Sequence, residues 1–144
     1  MIVPDINLLV YAYNADAPLH RQAKTWWQDT LNNRENLIGL PWVVSLGFIR
    51  IMTHPKILVT PLYPSEAVHH VAAWLIRHNV EPLVPGERHL DVLMALAREA
   101  GVAGSLTTDL QIAALAMEYR ATVCSNDADF SRFSGVKLRN PLLT

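Results

Sequence analysis

The sequence has few of the features that support disulfide-bonded, membrane-spanning or nucleic-acid-coating proteins. Its 144 residues include one cysteine, Cys124, which excludes an intramolecular disulfide and a zinc site of paired cysteines and favours a reducing compartment. The longest apolar run, Leu40 to Ile49, is roughly half the ~20 residues that a membrane helix needs. Lys and Arg number 12 against 13 Asp and Glu, so there is no basic excess for coating nucleic acid. The N-terminus lacks the basic segment of a signal peptide. We therefore expect a cytoplasmic protein without a membrane segment.

The apolar content and its spacing predict one α/β domain over residues 1–144. Hydrophobic residues make up 51% of the chain and charged residues 17%, which is enough apolar material for a packed core. Short apolar strands alternate with helices of ten or more residues, which predicts a short parallel sheet of four to five strands with helices on both faces. The predicted strands are Met1–Val3, Leu37–Leu40, Val80–Leu83, Thr122–Ser125 and one near Val136–Leu138. Asp16 and Pro18 have the pattern of a helix start, with Asp16 as the N-cap of a helix through Leu31.

Four acidic residues follow predicted strands or begin a helix. Asp5 closes the first strand, Asp109 begins a helix, and Asp127 and Asp129 follow the fourth strand. Each of them alone also fits a structural role as an N-cap or first-turn acid. Together they lie where a doubly wound sheet brings its ligands. Converging carboxylates need a cation, and oxygen ligands without His or Cys select Mg²⁺ or Mn²⁺. Such a site suits hydrolysis of phosphodiester bonds.

The order of these motifs resembles a known family. The segments that carry the resemblance are Ile2–Ala12, Gly101 with Leu106–Ala116, Ser125–Phe133 and Asn140–Leu142. In this order the chain is similar to the VapC-type PIN-domain ribonucleases, which are toxins of bacterial toxin–antitoxin pairs. The segment from Phe48 to Pro55 resembles one subgroup of that family.

The resemblance implies a PIN fold, a divalent-metal-dependent endoribonuclease and a small antitoxin that covers the active-site cleft. On this comparison Asp5, Asp109 and Asp127 match metal-binding aspartates, and Asp129 matches an accessory catalytic neighbour. Asn7 and Ser125 match polar positions that orient the carboxylates through hydrogen bonds. We hypothesise that an arginine of the antitoxin reaches this acidic pocket and substitutes for the charge of the metal.

The chain departs from the family in the helix after the second strand, where the family usually places a further acid. Nothing between Glu35 and Glu66 is acidic, and Ser45 or Gly47 occupies the approximate place. The departure casts doubt on a two-metal mechanism. Arg50, on the same helix, is a candidate to grip a substrate phosphate, and an exposed or structurally paired arginine fits as well.

Two other functions compete with the ribonuclease. A degenerate PIN-fold module that binds or regulates is favoured by the missing helix acid. An aspartate-based phosphohydrolase is disfavoured, because position 7 is Asn where such enzymes want a second acid, and no lysine lies near a motif.

The remaining chemical residue types favour packing. The six histidines lack ligand spacing, and Cys124 lies in a predicted buried strand. The four tryptophans, at positions 26, 27, 42 and 74, lie in helical settings that favour a core or a homodimer face over base stacking.

Overall fold

Residues 1–101 and 106–143 are described by the computed structural model, and within them a five-stranded sheet is flanked by six α-helices. Every paired strand runs parallel to its neighbour. The strands are β1 (Ile2–Pro4), β2 (Ile38–Pro41), β3 (Val80–Leu83), β4 (Thr122–Cys124) and β5 (Lys137–Arg139). The helices are α1 (Ile6–Tyr13), α2 (His20–Asn32), α3 (Trp42–Met52), α4 (Pro64–Leu75), α5 (His89–Ala100) and α6 (Thr107–Glu118), and a 3₁₀ helix covers Ala128–Arg132. The predicted α/β fold with a parallel sheet is confirmed.

The strand order β3-β2-β1-β4-β5 places β1 at the centre of the sheet. The chain first adds β2 and β3 on one side of β1, and then returns to add β4 and β5 on the other side. The order therefore reverses between β1 and β4. In an open parallel sheet such a switch point opens a crevice beyond the carboxyl ends of the two strands, because their connections leave in opposite directions.

The start of α2 differs from the prediction, since Asp16 is not its N-cap. The helix begins at His20, with Leu19 in the cap position. The chain instead turns at Asn14, whose side-chain oxygen accepts a hydrogen bond from the Asp16 N–H at 3.1 Å and whose backbone carbonyl accepts one from Ala17. An Asx side chain that binds its own backbone competes with helix formation, and this moves the helix start past Pro18.

Two of the four tryptophans form the centre of the core. Trp27 and Trp74 are 1% and 2% exposed and pack edge to face at 5.5 Å between ring centroids. Trp26 is half-buried against the same core. Trp42 is 47% exposed, so a core role for this residue is wrong. Cys124 is buried, as predicted.

The helices of the described ranges are all too short or too polar to cross a membrane.

Candidate active site at the carboxyl edge of the sheet

The pairing of β1 with β4 brings Asp5 and Ser125 together. Pro4 aligns with Cys124 at the ends of the two strands, and the Asp5 N–H donates to the Cys124 carbonyl at 2.9 Å. The next residue of each strand therefore lies at the switch point. Ser125 Oγ donates to Asp5 Oδ2 at 2.8 Å. The candidate site thus begins from strand register, with two residues that are 120 positions apart.

Asp5 is the most deeply buried of the four aspartates. It is 4% exposed and caps α1 by accepting the Ile6 N–H at Oδ1, at 2.7 Å. Burial raises the pKa of Asp5, the hydrogen bonds from Ser125 and Ile6 act in the opposite direction, and the charge of Asp127 raises it further. The capping role expected for Asp5 is therefore present together with a place at the switch point.

A chain of hydrogen bonds leads from Asp5 to the residues after β4. Ser125 Oγ accepts the Asp127 N–H at 2.9 Å while it donates to Asp5. Asp127 caps the 3₁₀ helix by accepting the Asp129 N–H at Oδ1, at 2.8 Å. Because each link fixes the next turn, the positions of Asp127 and Asp129 depend on Ser125.

Asp109 reaches the same place from the first turn of α6. Its pKa is raised to about 7, first by burial and then by the charges of Asp5, Asp127 and Asp129. In the part of the chain that the structure describes, Asp109, Asp127 and Asp129 offer carboxylate oxygens within 4.8 Å of one another. Asp5 lies beside this group and acts on it through its charge. Four carboxylates thus converge, and mutual repulsion makes their ionised form costly without a cation.

The donor chemistry of the group fits a hard divalent cation. The ligands available are carboxylate oxygens, with no sulfur or imidazole among them. The pKa of Asp109 is raised first by burial and then by the charges of the other aspartates, so its ionised form is unfavourable at this place. Arg132 gives limited compensation, because its guanidinium is 3.9 Å from Asp129 and half-exposed. A bound cation would supply the missing charge.

The α3 side of the site carries no acidic residue. Gly47 packs so closely on Ile6 that a Cβ at position 47 would lie 2.4 Å from Ile6 Cδ1, and Ser45 is buried. An acidic side chain at position 47 would require Ile6 to move. Among the described residues, the carboxylates at the site come from the end of β1, from α6 and from the segment after β4.

Two further residues singled out in the sequence, Asn7 and Arg50, are exposed. Asn7 is exposed in the first turn of α1, and its side chain makes no hydrogen bond to any described residue. Arg50 is exposed in the last turn of α3 and forms no ion pair within the described ranges. It lines a surface cavity of about 450 Å³ together with Trp42, Thr108 and Gln111.

The sequence pattern favoured packing over base stacking for Trp42 and gave no role to Thr108 and Gln111, and all three line this cavity. The signal for them is positional. Trp42 directly follows β2, at the same edge of the sheet as the acidic residues, and Thr108 and Gln111 flank Asp109 on α6. Their position at this edge of the sheet is therefore the signal that indicates a ligand contact.

The comparisons with known proteins agree with this geometry. The PIN domain family matches residues 2–136. Ribonuclease VapC33 of Mycobacterium tuberculosis is 46% identical over 142 residues, which cover 99% of each chain. Ribonuclease VapC37 of the same species is 34% identical over 141 residues, or 98% of this chain and 97% of the relative.

Solved structures share the fold at low sequence identity. VapBC2 from Rickettsia felis, solved with a DNA fragment from its promoter, superposes with a TM-score of 0.69 at 19% identity, over 97% of this chain and 98% of the other. VapC20 of M. tuberculosis, a toxin that cleaves the sarcin–ricin loop, gives a TM-score of 0.69 at 18% identity, over 97% of this chain and 100% of the other.

Proposed function

Because this chain belongs to the PIN domain family, and within it to the VapC group, we propose that it is the toxin of a toxin–antitoxin pair. Its activity is metal-dependent endonucleolytic hydrolysis of RNA phosphodiester bonds. The single observation that carries the proposal is the convergence of four aspartates at the switch point between β1 and β4, with the pKa of Asp109 raised to about 7. A carboxylate group with uncompensated charge is what a catalytic metal site requires.

We assign the roles as follows. Asp5, Asp109 and Asp127 hold the ion, and Asp129 assists, supported by the 4.8 Å group of Asp109, Asp127 and Asp129 with Asp5 beside it. Ser125 orients the Asp5 carboxylate by donating to it, and holds the backbone of Asp127 by accepting its N–H. Mg²⁺ or Mn²⁺ would lower the pKa of a water ligand and neutralise charge on the transferring phosphoryl group.

The carboxylates themselves position the reaction. The carboxylates come from α6 and from the turn after β4, and Asp109, Asp127 and Asp129 are partly exposed, so a phosphodiester can reach them. Water would attack in line with the leaving oxygen. Asn7 is exposed and free to meet substrate, which fits an orienting role toward the reacting groups.

The test is cleavage of a mixed pool of structured RNAs with Mg²⁺ or Mn²⁺. We compare the wild type with Asp5→Asn and Asp109→Asn, and with Asp29→Asn as a matched control on the exposed side of α2. Cutting that needs the metal and both site aspartates, and that survives in Asp29→Asn, supports the nuclease. Calorimetric titration with Mn²⁺ separates the alternative, since a degenerate binding module would neither cut RNA nor bind the ion.

The partners and location form part of the same proposal. The structural neighbours include VapBC complexes, and we propose a cognate antitoxin for this chain, acting with it in the cytoplasm as a single domain. We also propose a homodimer, supported by α5, which exposes 67% of Leu90 and 46% of Met94 one turn apart. Light scattering of the purified chain, alone and with antitoxin, measures both assemblies.

A further inference from the structure

Two of the elements that carry the acidic residues, the start of α1 and α6, also line the cavity that contains Arg50. Ile6 follows Asp5, Thr108 precedes Asp109, and Gln111 lies two residues after it. The remaining wall is α3. A volume of about 450 Å³ lies within the ~300–1,000 Å³ range of sites that bury small organic groups. The cavity therefore has the size to hold a part of the substrate, and two of its walls, at Ile6 and Thr108, are continuous in sequence with Asp5 and Asp109.

The α3 wall presents an exposed stripe with two chemistries. Trp42, Leu46 and Arg50 are spaced by four residues, so they share one face of the helix. Trp42 is 47% exposed and Leu46 is 59% exposed, and Arg50 forms no ion pair with the described residues. The stripe runs from an aromatic ring, past an aliphatic side chain, to a free guanidinium.

These two groups match the two parts of an unpaired nucleotide. An indole face stacks on a base regardless of its identity, and an arginine binds phosphate through paired N–H donors. Four carboxylates alone would repel the RNA backbone. Arg50, the cationic end of the stripe, would attract it. Gln111 and Thr108 supply an amide and a hydroxyl that can bind the edge of a base.

We propose that this cavity takes one unpaired base of the RNA next to the cleaved bond, with Trp42 stacking on the base and Arg50 binding an adjacent phosphate. The inference rests on the proposed ribonuclease function and adds to it the residues that hold the base and the phosphate. A base inside a duplex is stacked between its neighbours and cannot enter, so the cavity selects single-stranded segments and loops.

Binding of a fluorescently labelled single-stranded RNA in EDTA tests the cavity without cleavage. Trp42→Ala should weaken binding about tenfold, within the range of stacking on one base, whereas Trp42→Phe should stay within about threefold of the wild type. Tyr63→Ala, which removes another exposed aromatic ring, is the matched control and should not change affinity. Arg50→Ala should weaken binding and lower the salt dependence by about one phosphate contact.

A spectroscopic readout separates stacking from a structural effect. RNA should quench part of the tryptophan emission of the wild type, and this quenching should be lost in Trp42→Phe. A duplex of the same sequence should bind weakly and leave the emission unchanged. Thermal unfolding and mass by light scattering are measured for each variant.

The outcomes test the base-binding cavity separately from the ribonuclease activity. Metal-dependent cleavage that needs Asp109 but is equal in wild type, Trp42→Ala and Arg50→Ala, with equal RNA affinity, overturns the cavity and leaves the nuclease. Conversion of a dimer to a monomer by Trp42→Ala, with RNA affinity kept by the monomer, overturns it in favour of a second copy on this face. Absence of both RNA binding and cleavage in the wild type overturns both proposals.

Discussion

The two ends of α6 carry acids whose surroundings reverse what the helix alone would favour. The helix dipole stabilises a carboxylate near the N-terminus and disfavours one at the C-terminus. Asp109 lies in the first turn, yet its pKa is raised to about 7 by burial and by three other aspartates. Glu118 ends the helix, yet its carboxylate accepts hydrogen bonds from the His89 ring and from the Gly86 N–H.

The difference separates a structural acid from a candidate functional one. Glu118 has a hydrogen-bond donor for each carboxylate oxygen. These donors within the fold offset the free-energy cost of burying the carboxylate. Asp109 is surrounded by groups of its own charge. Its ionised form is therefore unfavourable unless a cation from solution binds. Burial combined with like-charged neighbours at a switch point is therefore the feature that indicates a metal site.

The largest expected effect is the difference in RNA cleavage between variants that remove the charge at one end of α6 or at the other. Asp109→Asn should lower metal-dependent RNA cleavage at least about 100-fold, because it removes a proposed ligand of the ion. Glu118→Gln should keep cleavage within about threefold of the wild type. Initial cleavage rates on one RNA at saturating Mn²⁺ measure both, and similar losses in the two variants would contradict the contrast.

Ser125→Ala should have the next largest effect, because both Asp5 and Asp127 depend on this hydroxyl. We expect cleavage to fall about 10- to 100-fold, as is usual for residues that orient metal ligands. The Mn²⁺ dissociation constant, measured by calorimetry, should rise with it. Ser65→Ala, an exposed serine on α4, is the matched control, and an unchanged Mn²⁺ affinity in Ser125→Ala would show that the aspartates hold their positions without it.

Glu118→Gln should lower stability, whereas Asp109→Asn should lower activity. The variant leaves the half-buried His89 ring with a weaker partner, at a cost of about 1–2 kcal/mol in the free energy of unfolding. Urea unfolding measures this against Glu87→Gln, an exposed neighbour that lines the same surface. An unchanged midpoint in Glu118→Gln would mean that His89 and Gly86 find other acceptors.

The sequence allowed the fold and the convergence to be predicted for a definite reason. The alternation of short apolar strands with helices predicts a parallel sheet, and the residue after each strand must then lie at one edge. That reasoning places Asp5, Ser125 and Asp127 near each other without coordinates. The start of α2 was predicted wrongly, because the side chain of Asn14 competes for the backbone.

Side-chain detail could not be predicted in the same way. The 4.8 Å grouping of Asp109, Asp127 and Asp129 depends on the turn after β4, which places Asp129 through the cap at Asp127. Trp42 has the same residue type as the buried Trp27 and Trp74, and its exposure depends on what packs over α3. Such properties come from tertiary packing rather than from the local pattern.

The pH dependence of the free energy of unfolding tests whether Asp109 is unfavourable in its ionised form. It is the smallest of the expected effects. The ordinary pKa of an aspartate is 3.8, and that of Asp109 in the folded, ion-free protein is about 7. Between these values the folded state binds more protons than the unfolded state, so the free energy of unfolding falls as the pH rises from about 4 to about 7. After allowance for partial solvent exposure, we expect a loss of about 1–2 kcal/mol.

Thermal unfolding in EDTA at pH 5 and pH 7.5 measures this loss, which corresponds to about 3–8 °C. Asp109→Asn should flatten the dependence and unfold at a higher temperature than the wild type at pH 7.5, whereas Asp29→Asn should behave as the wild type. Mn²⁺ should raise the wild-type unfolding temperature at pH 7.5, since an ion that binds the folded state stabilises it. An equally steep pH dependence in Asp109→Asn would assign the titration to other groups and remove the distinction between the two ends of α6.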